Sequence, residues 1–212
     1  MNVQRVNYKD MAQQLQTGDL LFCHGLFQEA LQVEVVEGSI WSHMGMVVRL
    51  PDYDELLLWE STTTETLKDV ELHTIKTGPM LVSLRDRLIT DVNEQYDALF
   101  AFRLLEAPRT DEMNRELQQF IEEVHGASFP SMTRMALELL EGKLNIQAGY
   151  TNFFCSELVA ETYMRLGLLD RSRASNSFEP KDFADGRSLP LAEGCRLGNV
   201  LYQLSDADAA TA

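Results

Sequence analysis

Basic residues are scarce in this chain. Lysine and arginine total 18 against 33 aspartates and glutamates, a formal net charge of −15 at pH 7. A nucleic-acid reader needs a cationic footprint, so the balance argues against nucleic acid as a partner. It argues equally against attachment to an anionic leaflet through basic residues. Cysteine is scarcer still: Cys23, Cys155 and Cys195 are an odd number, widely spaced, without a C-x-x-C or C-x-H pairing. A disulfide framework and a zinc site are both disfavoured, and neither metal nor cofactor is expected. Also missing is any run near the roughly 18 apolar residues of a membrane helix, so no integral membrane segment is expected. Residues 1–19 contain no apolar stretch of the secretory kind, and the expected location is cytoplasmic.

What is present is ordinary globular material, 45% hydrophobic and 24% charged over 212 residues, a length that suits one domain. Residues 1–16 read as an N-terminal arm or short helix, 17–204 as the main domain, and 205–212 as a flexible acidic tail. Thr17-Gly18-Asp19 signals a turn, after which Asp19–Cys23 reads as a short buried strand. Residues 25–36 are compatible with a helix broken at Gly38. Trp41–Arg49 and Leu56–Ser61, joined through Pro51–Asp54, predict an antiparallel hairpin. Residues 62–78 predict a loop, and Met80–Leu84 and Ala98–Leu105 two more strands around a short helix at Arg85–Ile89.

The second half turns helical. Met113, Leu117, Phe120, Ile121 and Val124 fall on one stripe at i, i+4, i+7, i+8 and i+11. Met132–Leu140 repeats the pattern and reads as core or, alternatively, as a lid. A third helix is expected from about Phe153 to Leu166, with Asn152 as N-cap and Gly167 just past its end. Strands first and helices after, with little alternation, predicts an α+β fold.

Three side chains in this layout could carry chemistry, and each has a plain alternative. Cys155 falls in the first turn of its helix, where unpaired N–H groups and the helix dipole favour a thiolate. It also shares a face with Leu158, Val159, Thr162 and Leu166, which suits an inert core cysteine. His43 lies in an apolar strand beside Gly45, whose missing side chain leaves room for a substrate or for another backbone. A core histidine would look the same. Glu60 follows Leu56 and Leu58 on one strand face, so it is either solvated at the strand end or must find a buried partner. Across the hairpin His43 is a candidate partner, and a bond to it would fix the tautomer that turns the other ring nitrogen to the thiol. Together the three make a nucleophile, a base and an orienting carboxylate. The adjacent Cys23 and His24 point to opposite faces of a strand and cannot pair. His125, at a helix end, is accounted for by the helix dipole.

The strings Gly18-Asp19-Leu20-Leu21-Phe22, Ser42-His43-Met44-Gly45, Trp59-Glu60-Ser61 and Asn152-Phe153-Phe154-Cys155-Ser156-Glu157-Leu158-Val159 resemble the permuted papain-like branch of the NlpC/P60 superfamily, which includes the YiiX/YebB-like cysteine hydrolases. Histidine and glutamate precede the cysteine here, as in the circularly permuted group. The resemblance runs from about Thr17 to Leu204 and takes in Pro180-Lys181-Asp182-Phe183-Ala184. It implies a curved antiparallel sheet packed against the cysteine-bearing helix, with Cys155 as nucleophile, His43 as general base and Glu60 as third member. Trp41 and Ser42, flanking the histidine, are candidate substrate-binding residues. The implied activity is thiol-dependent cleavage of an amide or peptide bond, including cell-wall-type peptides, through an acyl-enzyme. The alternatives are an acyltransferase or a lipid or thioester acyl hydrolase of the lecithin–retinol-acyltransferase kind, and a non-catalytic binding module on the same fold.

Overall fold

The computed structural model describes residues 4–24, 40–93, 99–185 and 189–203. The helix expected at 25–36 and the tail at 205–212 lie outside the described residues. The elements in chain order are β1 (Gln4–Val6), α1 (Tyr8–Ala12), β2 (Leu20–His24), β3 (His43–Val48), β4 (Leu57–Thr62), β5 (Gly78–Ser83), α2 (Leu84–Asn93), β6 (Leu99–Arg103) and β7 (Leu105–Glu106). Then follow α3 (Asp111–Val124), α4 (Met132–Lys143), α5 (Cys155–Arg165), α6 (Pro180–Asp185), β8 (Arg196–Leu197) and β9 (Leu201–Gln203).

Seven strands form one sheet in the order β1-β9-β6-β2-β3-β4-β5, antiparallel except at the β1–β9 edge, where the strands run parallel. This is the mixed α+β arrangement that the pattern predicts. The strands β4 and β5 are buried at every position because helices cover both sheet faces, and for that reason they read as continuous apolar runs. One face carries Leu20, Phe22, Met44, Met46, Trp59 and Leu81 and packs on Leu117, Phe120, Leu158 and Val159 of α3 and α5. The other carries Leu21, Val47, Leu58, Met80, Val82 and Phe102 and packs on Tyr8, Met11 and Leu15 near the N-terminus and on Leu84 and Leu88 of α2. Among the described residues, the segment read as an arm or helix is strand, then helix, with Tyr8, Met11 and Leu15 in the core.

The turn before β2 is tightly held. Gly18 has φ +96°, and a Cβ there would come 2.7 Å from Leu105 Cδ2, a position that favours glycine on both counts. Asp19 is buried. Its Oδ1 accepts from the Leu105 N–H (2.8 Å) and Arg109 Nη2 (3.1 Å), and its Oδ2 from the Gln16 N–H (2.8 Å). One carboxylate thus ties the first turn to β7.

The helix at Met132–Lys143 departs from the core reading. Met135 and Leu139 are buried against Phe154. Met132, Leu137 and Leu140 are exposed, as are Leu144 and Ile146 just beyond the helix.

Candidate active site

The β3–β4 register sets Gly45 opposite Glu60. Trp59 Nε1 donates to Thr162 Oγ1 (3.1 Å) and Ser61 Oγ to the Phe153 carbonyl (2.6 Å), so both flanking residues face the Cys155 helix. Strand alternation turns Glu60 to the opposite face. There it is fully buried with one oxygen on each of two cations or potential cations. Oε2 lies 2.6 Å from His43 Nε2. Oε1 accepts from Arg87 Nε (2.9 Å) and also from Arg87 Nη2. Arg87 sits on α2, 1% exposed, and its Nη1 reaches Thr64 and Thr66 Oγ1 (3.5 Å each).

His43 opens β3, and its ring interacts with both Glu60 and the Cys155 thiol. Burial alone would push the imidazole pKa down. Hydrogen bonds to Cys155 and Glu60, and the charge of Glu60, overcome that and raise it to about 10. Burial likewise works against ionised Glu60, but the Arg87 guanidinium and His43 bring its pKa down to about 2. The carboxylate is therefore held charged, and its charge favours the protonated ring. With Nε2 engaged by Glu60, Nδ1 is the nitrogen left for the thiol. The His43 side chain keeps 20% of its surface open to solvent.

Cys155 is the first residue of its helix, behind Phe154 at the N-cap with φ −91° and ψ 169°. This corrects the sequence expectation of a start near Phe153 capped by Asn152. Asn152 instead forms a bridge with Ser128 in the segment leading to the helix. Starting at Cys155 places its N–H among the first-turn donors that have no intrahelical acceptor. The other end matches expectation, with Gly167 at φ +69° just after the C-cap.

The remaining candidates fall as follows. Trp41 is buried against Phe22 (ring centroids 5.6 Å) and Tyr202 (6.0 Å), and Ser42 Oγ donates to the Cys23 carbonyl (3.3 Å). Gly45 does not hold open space: a Cβ there would meet Leu58 Cδ1 at 2.9 Å. His125 is anchored by more than the dipole, with Nε2 2.7 Å from buried Asp69 Oδ2 and Nδ1 3.3 Å from Glu71. His24 Nδ1 lies 2.7 Å from the Ile40 carbonyl.

Two buried ionisable residues near these elements were not legible beforehand. Arg87 is one. Glu157 is the other, two residues past Cys155, fully buried, with neither oxygen hydrogen-bonded. Burial, then the charge of Glu138, raise its pKa to about 9, with the Arg134 charge a weaker opposing influence. It is a neutral acid at pH 7.

Fold and side chains together define an α+β protein with a buried Cys–His–Glu constellation clamped by an arginine. No family model matches the chain, and no curated protein matches it. Among solved structures it is similar to the metalloprotein YiiX from Escherichia coli O157:H7, at 16% identity and a TM-score of 0.49, over 87% of this chain and 97% of that one. Among the described residues no three His, Cys, Asp or Glu side chains gather as a metal site, and no helix is long and apolar enough to cross a membrane.

Proposed function

We propose that this protein is a cysteine hydrolase of amide or peptide bonds, built on a permuted papain-like plan within residues 17–204. The observation that carries this reading is the His43 ring 2.6 Å from the buried Glu60 carboxylate and within electrostatic reach of the Cys155 side chain. The order of the three along the chain, histidine and glutamate ahead of the cysteine helix, is that of the permuted group.

In the proposed reaction the Cys155 proton already resides on His43 as an imidazolium–thiolate pair, and the thiolate attacks the substrate carbonyl carbon. The Cys155 N–H at the helix start is a donor to the developing oxyanion. Collapse breaks the C–N bond. The amine leaves with the proton that His43 returns, and the acyl group stays on sulfur as a thioester. His43 then accepts a proton from water, the hydroxide attacks the thioester, and the carboxylic acid departs as the thiol re-forms. Glu60 holds the ring orientation and stabilises the imidazolium throughout.

One observation favours a second reading, an acyl hydrolase or acyltransferase. The helix that packs Met135 and Leu139 on Phe154, next to Cys155, also carries exposed Met132, Leu137 and Leu140. Exposed apolar side chains on a helix anchored next to the Cys155 helix suit contact with an acyl chain.

The test is iodoacetamide labelling at pH 6 with peptide mapping. Cys155 is expected to label well ahead of Cys23 and Cys195, and His43→Ala to abolish the preference. Uniform slow labelling of wild type, or a preference that survives His43→Ala, rules out the catalytic pair. Intact mass after incubation with peptide-amide and long-chain thioester substrates then separates the two readings by the acyl group trapped on Cys155.

A further inference from the structure

We propose that Arg87 is a positioning residue of this site: it fixes the orientation and charge of Glu60 and, through Glu60, the His43 ring. The proposal rests on the catalytic reading above and adds a residue to it. Arg87 comes from a different element, the helix Leu84–Asn93, and its guanidinium is almost wholly buried. Two of its nitrogens, Nε and Nη2, converge on Glu60 Oε1, which leaves Oε2 the single oxygen aimed at His43 Nε2. A carboxylate bound by one cation alone could rotate and offer either oxygen. Held from behind by a rigid guanidinium fork, it presents one oxygen in one direction.

The arrangement also decides the charge state. Glu60 has no solvent exposure, so without a permanent cation it would take up a proton far more readily. A neutral Glu60 no longer stabilises the imidazolium. Arg87, which does not deprotonate, keeps Glu60 an anion whether or not His43 holds its proton. The threonines on its other side, Thr64 and Thr66, keep the guanidinium in place. At metal sites, outer partners that orient a ligand in this way matter by roughly 10–100-fold in affinity or activity, and an effect of that order is expected here.

The experiment is the pH profile of Cys155 carboxamidomethylation by iodoacetamide, between pH 4 and 9, for wild type, Arg87→Lys, Glu60→Gln, Arg87→Met and the double variant Arg87→Met/Glu60→Gln. Arg87→Lys, which keeps the charge and loses the fork, is expected to label roughly tenfold more slowly at pH 7, with its acid limb moved to higher pH. Arg87→Met alone leaves a buried carboxylate unpaired and invites misfolding. The double variant removes both charges and restores neutrality, which completes the cycle. Because Arg87 acts through Glu60, adding Arg87→Met to Glu60→Gln is expected to leave the labelling rate within twofold of Glu60→Gln alone. A further large loss there, or an acid limb in Arg87→Lys that overlays wild type, overturns the proposal. The His43 titration followed by NMR is expected to shift in Arg87→Lys, and no shift overturns it too. That signal reads the relay even if wild-type labelling shows no His43 dependence and the catalytic reading itself fails.

Discussion

Glu157 offers a sharp test of the electrostatics beneath the site. Its carboxyl is fully buried without a hydrogen bond, and its pKa is raised from 4.5 to about 9, by burial first and Glu138 second. The native state therefore binds this proton more tightly than the unfolded chain does. Below pH 4.5 both states hold it and there is no penalty. Between pH 4.5 and about 9 the unfolded chain releases it while the folded chain keeps it, so stability falls with rising pH. The slope is about 1.4 kcal/mol per pH unit, which accumulates to an upper limit of about 3 kcal/mol by pH 7. Glutamine has nearly the same shape and does not titrate. Glu157→Gln is expected to match wild type near pH 4.5 and to become progressively more stable above it. Urea unfolding followed by the fluorescence of buried Trp41 and Trp59 measures this, at constant ionic strength from pH 4.5 to 8.5. A gap of about 3 kcal/mol corresponds to a midpoint shift of about 1 M or more. Groups that titrate alike in both proteins cancel in the difference. Parallel stability–pH curves for the two proteins would refute the reasoning.

His43 has the opposite consequence, because its raised pKa belongs to a base. Its contribution to stability is complete below pH 6.5 and is lost as pH rises through about 10. His43→Gln is expected to be clearly less stable than wild type at pH 6, with the gap closing by pH 10, as urea midpoints at the two pH values will read. Phe154→Ala empties the centre of the small cluster formed with Met135 and Leu139. It is expected to cost about 3–5 kcal/mol by thermal or urea unfolding, and a loss under 1 kcal/mol would show that the helix at Met132–Lys143 does not depend on that contact.

The legible parts of the fold were those with local periodicity. The hairpin of β3 and β4, the stripe of Met113 to Val124 and the glycine after the Cys155 helix each leave a mark within one turn or one pleat. What escaped reading depends on contacts distant in sequence. Gln4–Val6 is three residues without a pattern, and it becomes a strand only because Leu201–Gln203 lies alongside. The Gly45 gap is closed by Leu58 from the neighbouring strand. Arg87 sits on a short helix that signals nothing of its target 27 residues earlier. Glu157 misleads through its chemistry: a carboxylate in a first helical turn ordinarily faces water and favours the dipole, and only its place in the folded chain reveals burial. At the site, the residues His43 and Glu60 could be related from the hairpin alone, whereas the thiol, about 100 positions later, could be joined to them only through the resemblance.

The β1–β9 edge imposes an order on assembly. Gln4–Val6 has β9 as its sheet neighbour, and Tyr202 of β9 also packs on Trp41, two residues from His43. A chain emerging from the ribosome presents Gln4–Val6 nearly 200 residues ahead of its mate. Until then the indole two residues from the histidine packs on Phe22 without the Tyr202 ring, so a nascent or shortened chain ending before Leu201 is expected to carry Cys155, His43 and Glu60 without a finished surrounding. Cleavage near Gln4–Val6 by a dilute protease, fast in such a shortened chain and slow in the longer one, would register that dependence.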